Sequence, residues 1–223
     1  MRVCLIGRGT PETFLSGERT GEADVWAFAF QNAEAVSYEK ELKGETGRFE
    51  TLAMLSKKKR AVVVCGFLTD SLGLKRKSVL VAENGKILGV SDMINVFDGE
   101  LNAGACARIF ETKRGRIGIV VAEDLYFFEV VKSLSTCGVD YIVCPFGVAC
   151  GEIEKVMLRA NAFCFGVPIL FCSKNYSLVV NASGEVEFAS PAGEAFLSFE
   201  PIKEYHLVET RRRGFFRGKK GES

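Results

Sequence analysis

The chain has 223 residues, 48% of them hydrophobic and 26% charged, and a formal net charge of +1. That length suits one domain with a single core, and the composition is that of an ordinary globular protein. A charge so near zero supplies no whole-molecule field for nucleic acid or an anionic membrane. No apolar run is long enough to span a bilayer, so neither kind of partner is expected.

The opening Met1-Arg2-Val3-Cys4-Leu5-Ile6-Gly7 turns polar too early for a signal peptide and reads as a first strand over Val3–Ile6. A short helix is expected within Pro11–Glu22 and a second strand over Asp24–Phe30. Phe49–Lys59 is amphipathic, with Leu52, Ala53 and Leu55 on one side. Lys57, Lys58 and Lys59 close it, where cations suit the helix dipole. Ala61–Leu68 is rich in β-branched residues, as buried strands are.

Three hairpins follow from their turn residues. Asn84-Gly85 joins Ser78–Glu83 to Lys86–Val90 and is a strong two-residue turn signal. Lys113-Arg114-Gly115 joins Ala107–Thr112 to Arg116–Val121. Ala182-Ser183-Gly184 joins Tyr176–Asn181 to Glu185–Ala189. Helices are expected over Leu125–Thr136 and Glu152–Phe165, and strands over Tyr141–Cys144 and Ile169–Cys172. Alternating strands and helices with many hairpins predict an α/β sandwich of sheets with helices outside.

The eight cysteines show no C-x-x-C spacing, and His206 is the single histidine. No zinc site and no cofactor are expected. Most of the cysteines sit in apolar runs and read as small buried hydrophobes in a reducing cytoplasm.

The most informative stretch is Gly118-Ile119-Val120-Val121-Ala122-Glu123-Asp124-Leu125-Tyr126-Phe127-Phe128-Glu129. A buried strand, a sharp turn and a helix start would project one side chain at the tip of a sheet, where nucleophiles are often placed. Ala122 holds that tip.

Gly118, Asp124, Phe127 and Glu129 match a G-x-x-I-C-x-D-x-x-F-P-E pattern. Gly138-Val139-Asp140-Tyr141-Ile142-Val143-Cys144-Pro145 looks like G-A-D-x-I-x-x-P. Arg159-Ala160-Asn161-Ala162 looks like R-A-x-E-N, and Asn84–Gly89 reads N-G-K-I-L-G. Together, in this order, these motifs resemble the nitrilase, or carbon–nitrogen hydrolase, superfamily over nearly the whole chain. The resemblance implies a four-layer α-β-β-α sandwich in a single compact domain over residues 1–210, followed by a basic tail over 211–223. It also implies a cytoplasmic homodimer, with the helix after Asp124 and the segment around Arg211 facing the partner. Val130, Val131 and Leu134 would give that helix its apolar side, and Phe215 and Phe216 would anchor the tail.

That family works through a Glu–Lys–Cys triad: the thiolate attacks an amide or nitrile carbon, the Glu moves the proton, and the Lys stabilises negative charge. Carried over position by position, the Glu falls on Phe30, the Lys on Met93 and the Cys on Ala122. A shifted alignment would use Glu39, but the Ala23-Asp24 lead-in favours Phe30. Asp124, Glu129, Pro145 and Arg159 fall on pocket and frame positions. The resemblance therefore implies the fold without its chemistry: a binding, scaffold or regulatory protein of unspecified ligand.

An active amidohydrolase with a displaced nucleophile is the alternative, with Cys150, close in sequence to Glu152, as the candidate. Reactivity there would need a lowered thiol pKa, and an inert thiol at the pocket rim is the simpler reading. Glu123 and Asp124 look like a carboxylate pair, but Asp124 at a helix start is expected to cap it. His206 is expected on the surface. The run from Arg211 to Lys220, with Phe215 and Phe216 interleaved, could bind anions or RNA; packing at a dimer interface is preferred.

Overall fold

The period-2 alternation of strand side chains sorts this sequence into three apolar layers. The structure, a computed structural model, describes residues 1–17, 21–31, 34–97 and 99–202. The basic tail, with Phe215 and Phe216, and His206 lie outside the described residues. Strands β1 (Arg2–Ile6), β2 (Val25–Phe30), β3 (Val36–Ser37), β4 (Val62–Ser71), β5 (Leu74–Glu83) and β6 (Lys86–Asp92) form one sheet. Strands β7 (Ile109–Thr112), β8 (Gly115–Ile119), β9 (Tyr141–Pro145), β10 (Ile169–Cys172), β11 (Ser177–Val180) and β12 (Val186–Ser190) form the other. The last strand, β13 (Glu194–Ser198), returns to the first sheet beside β1.

Val3, Leu5, Val25, Ala27, Val62 and Val64 point from the first sheet towards Ile117, Ile119, Tyr141, Val143 and Leu170 of the second. The alternate residues Cys4, Ile6, Trp26, Phe28, Val63 and Cys65 point outward under α1 (Pro11–Ser16) and α3 (Arg48–Lys59). On the far side, Ile142, Cys144, Ile169 and Phe171 pack under α4 (Phe128–Thr136) and α5 (Glu152–Phe165). The result is the expected α-β-β-α sandwich in one compact domain. A short helix, α2 (Tyr38–Leu42), follows β3, with its Ser37 hydroxyl accepting the Lys40 N–H.

Strands β1, β2 and β4 run parallel to one another, as do β8, β9 and β10. Their C-terminal ends meet at one end of the sandwich. There a Cβ on Gly7, just past β1, would run into the Ser173 carbonyl just past β10. That end carries the candidate site.

Several elements differ from expectation. The helix near residue 11 stops at Gly17, which takes a left-handed φ of 92°. Strands β4 and β5 form a fourth hairpin over Leu72-Gly73, both with positive φ. Glu194–Ser198 is a strand that closes on β1. The helix after β8 does not start at once: Ala122–Tyr126 form a 3-10 turn, Phe127 is extended, and α4 begins at Phe128. Val130, Val131 and Leu134 are packed into the core against the sheet, so they are not available to a partner. The outward apolar side chains are Phe128 on α4 and Ile153, Val156 and Phe163 on α5.

Of the eight free thiols, Cys4, Cys65, Cys144 and Cys172 are buried as expected, whereas Cys106, Cys137 and Cys164 are exposed.

Candidate functional site

The tip of the β8 turn is Ala122. Its φ is 49°, a left-handed backbone uncommon for a residue with a Cβ. Its side chain is fully buried in the core between the sheets. The chain leaves β8, reverses sharply and enters a 3-10 turn, which is the geometry of an elbow that presents one side chain.

Phe30 ends β2. Strict alternation would send it outward with Trp26 and Phe28, but the ladder to β4 slips one residue between Phe28 and Phe30. That bulge turns the ring to the inner side, where it packs against the core between the sheets. Gly66, its partner on β4, makes room: a Cβ there would lie 2.5 Å from Phe30 Cδ2. Gly147, beyond β9, has its virtual Cβ 3.8 Å from Phe30 Cβ.

Met93 follows β6. Its N–H donates to the Lys77 carbonyl at 2.9 Å, its carbonyl accepts the Gly104 N–H at 2.7 Å, and its side chain is buried in the same core. Because β6 runs antiparallel to β5, and β5 antiparallel to β4, Met93 lies at the same end as Phe30 and Ala122. The three positions are thus brought to one end of the sandwich. Glu39, on α2, turns its carboxylate to the β4–β5 turn, where it accepts the Ser37 hydroxyl at 3.0 Å and the Leu72 N–H at 3.2 Å.

Asp124 does not cap its own helix, contrary to expectation. It is 1% exposed and accepts the backbone N–H groups of Ile94 and Asn95, at 2.9 and 2.8 Å, and the Asn95 amide at 2.9 Å. It clamps the segment that follows Met93 onto the elbow. Burial pushes its pKa up, and these three donors oppose that shift.

Pro145 ends β9 and is buried. Glu129 is exposed in the first turn of α4. Arg159 is exposed on α5 and donates from Nε to the Gly184 carbonyl at 3.0 Å, holding the β11–β12 turn. Both side chains lie on the outer helices and are exposed.

Cys150 is half-buried in the loop before α5. Its N–H donates to Asn175 Oδ1 at 2.9 Å, and its Sγ lies 3.6 Å from the Gly151 carbonyl. Burial, with Glu154 nearby, pushes its thiol up to about 11. A nucleophile needs the opposite shift. The acid that matters there is Glu154 rather than Glu152: it accepts the Tyr126 hydroxyl and, at 2.6 Å, the Gly151 N–H.

One charged pair at the elbow escaped sequence reasoning. Lys77 Nζ on β5 lies 2.6 Å from Glu123 Oε1, next to Ala122. Glu123 Oε2 is buried with no hydrogen-bond partner among the described residues. The two are 46 residues apart, and only the β5 register could have joined them.

A four-layer sandwich with a strand–turn–helix apex at the C-terminal ends of its parallel strands defines a nitrilase-type architecture. The sequence profile of the carbon-nitrogen hydrolase family matches residues 8–198, and the chain belongs to that family. It is 29% identical over 178 residues to a probable nitrilase of Schizosaccharomyces pombe, covering 74% of this chain. The chain spans 64% of that relative's length.

Among solved structures, an alanine mutant of the Nesterenkonia AN1 amidase from the nitrilase superfamily superposes with a TM-score of 0.71 at 14% identity, over 88% of each chain. A carbon-nitrogen hydrolase from Helicobacter pylori G27 gives 0.70 at 15% identity, over 88% of this chain and 87% of that one. At these identities the likeness is one of fold.

Proposed function

We propose that this chain is a catalytically silent carbon–nitrogen hydrolase: a binding, scaffold or regulatory homodimer of the cytoplasm. The observation that carries the reading is Ala122, a side chain without chemistry at the tip of a left-handed elbow. Phe30 and Met93 support it. Both are apolar, both lie at the same end, and both pack against one core. Apolar atoms in place of a Glu and a Lys remove the desolvation penalty those groups carry. Such an exchange trades activity for stability.

The displaced-nucleophile alternative draws no support from Cys150, whose thiol is pushed up rather than down. Eight unpaired thiols favour a reducing compartment. No helix among the described residues is long and apolar enough to cross a membrane. The outward apolar residues Phe128, Ile153, Val156 and Phe163 suit a two-fold partner over α4 and α5.

Relatives named as a nitrilase and an amidase set the substrates for the test. Purified protein incubated with short amides, ureido acids and nitriles is expected to release no ammonia above the buffer rate. Removing the nucleophile of a hydrolase costs several powers of ten on its own. Ala122→Cys alone is expected to stay silent, because Phe30 and Met93 still stand where the Glu and Lys would be. Turnover in the unmodified protein that disappears in Cys150→Ala would overturn the reading. A monomeric mass by light scattering would remove the dimer from it.

A further inference from the structure

At the end opposite the elbow, three chain segments remote in sequence enclose a cleft of about 460 Å³. Its walls are the last turn of α3 with Lys57 and Arg60, the β5–β6 turn with Glu83 and Asn84, and the β7–β8 turn with Lys113 and Arg114. We propose that this cleft binds a small phosphate-bearing anion. The proposal is independent of whether the elbow is catalytic.

Charge carries it. Four of the lining residues are cations and one is an acid. Glu83 Oε1 already accepts the Lys113 backbone N–H at 3.0 Å, and Arg114 is held by Asp24 at 2.8 Å. Lys57, Arg60 and Lys113 form no ion pair among the described residues. Like charges gathered around one concavity repel each other unless an anion completes them.

Helix-dipole complementarity accounts for Lys57 and its neighbours Lys58 and Lys59. It does not account for Lys113, which arrives from the other sheet. A guanidinium fork beside two ammonium groups matches the oxygens of a phosphate. The cleft falls in the size range of small-molecule sites.

The walls are also fixed. The Ser56 hydroxyl accepts the Gly85 N–H at 3.0 Å and donates to the Ala53 carbonyl at 2.7 Å, tying the β5–β6 turn to α3. The Lys113–Glu83 bond ties one sheet's turn to the other's. Gly85 has a φ of 82°, and a Cβ there would lie 3.3 Å from Lys57 Cδ. The glycine lets the lysine stem lie along the turn. Arg60 caps α3 with a left-handed φ of 53°, a conformation in which Gly or Asn is usual. A cation stands there instead of either.

The test is calorimetric titration of the full chain with inorganic pyrophosphate at low ionic strength. Saturable binding is expected, weakening as salt is added. Arg60→Asn removes a charge while suiting the backbone, and Lys113→Gln sits in an exposed turn, so both are expected to fold normally. Each should weaken binding roughly tenfold, as the loss of one charged hydrogen bond does. Lys132→Gln, exposed on α4, should leave it unchanged. A phosphate monoester in place of pyrophosphate then asks whether one phosphate group suffices. No saturable binding of either probe would overturn the proposal. So would pyrophosphate binding that survives Arg60→Asn combined with Lys113→Gln, or binding of single-stranded RNA without binding of pyrophosphate.

Discussion

At the elbow end, Phe30, Met93 and Ala122 set apolar atoms at the C-terminal ends of β2, β6 and β8. The opposite end of the same sandwich gathers Lys57, Arg60, Lys113 and Arg114 around Glu83, with Asp24 paired to Arg114. Ligands of α/β sheets usually bind at the carboxyl ends of the strands. Here that end carries apolar Phe30, Met93 and Ala122 beside the Lys77–Glu123 ion pair, whereas Lys57, Arg60 and Lys113 at the other form no ion pair among the described residues. Both ends sit on one fold, which is why function is argued from sites and not from folds.

Stability measurements can break this comparison. Phe30→Ala empties the space between Gly66 and Gly147 and is expected to cost about 2–4 kcal/mol, somewhat less than a fully buried Phe because the ring is only half-buried. Lys113→Ala, at the other end, removes one of several like charges and is expected to stay within about 0.5 kcal/mol of the parent. Urea unfolding reads both. Equal losses would mean that the elbow end is not packed for stability and that the cations are structural.

A smaller effect should appear in the pH dependence beside the elbow. Burial pushes the Glu154 carboxyl up, but the Tyr126 hydroxyl and the Gly151 N–H outweigh it and hold the pKa below the ordinary 4.5. An acid whose folded pKa is lowered stabilises the fold fully above its unfolded value. That stability is lost as pH falls through the folded value. Glu154→Gln is therefore expected to cost about 1 kcal/mol at neutral pH. The loss should shrink as pH drops below 4.5. Unfolding curves between neutral pH and pH 3 check this, and a deficit independent of pH would show that only packing was lost.

Local signals in the sequence were enough for α5, whose bounds Glu152–Phe165 match expectation, and for the Asn84-Gly85 hairpin. Where the signal was not local, it failed. Leu72-Gly73 closes a hairpin without the usual Asn or Asp, and Leu72 itself takes a φ of 52°. Strand β13 is identified only by its pairing with β1 at the other end of the chain. The elbow tip was legible because strand, turn and helix start are contiguous there. The work of Asp124 was not, because its partners Ile94 and Asn95 are about thirty residues upstream. Phe30 was placed by motif alone; the bulge that turns it inward depends on the register with β4. The cationic cleft was invisible for the same reason, since residues 57–60 and 113–114 meet only across two sheets.

The smallest expected effect bears on the elbow itself. At an ordinary buried strand position such as Ala27, replacing Ala with Gly loses a buried methyl, about 0.8 kcal/mol. It also frees the unfolded backbone, for roughly another 0.5–1 kcal/mol. Ala27→Gly is thus expected to cost about 1.5 kcal/mol. Ala122→Gly suffers the same two losses, yet it relieves a Cβ held at a φ of 49°, which is worth about 1–2 kcal/mol. The terms nearly cancel, and Ala122→Gly is expected to be close to neutral. Paired unfolding curves for the two variants measure the difference directly. A gap of at least about 1 kcal/mol would mean that the chain still holds a strained elbow at a place where its own side chain has no chemistry. Equal losses would mean that residue 122 is not strained in solution, and the frame would have relaxed together with its chemistry.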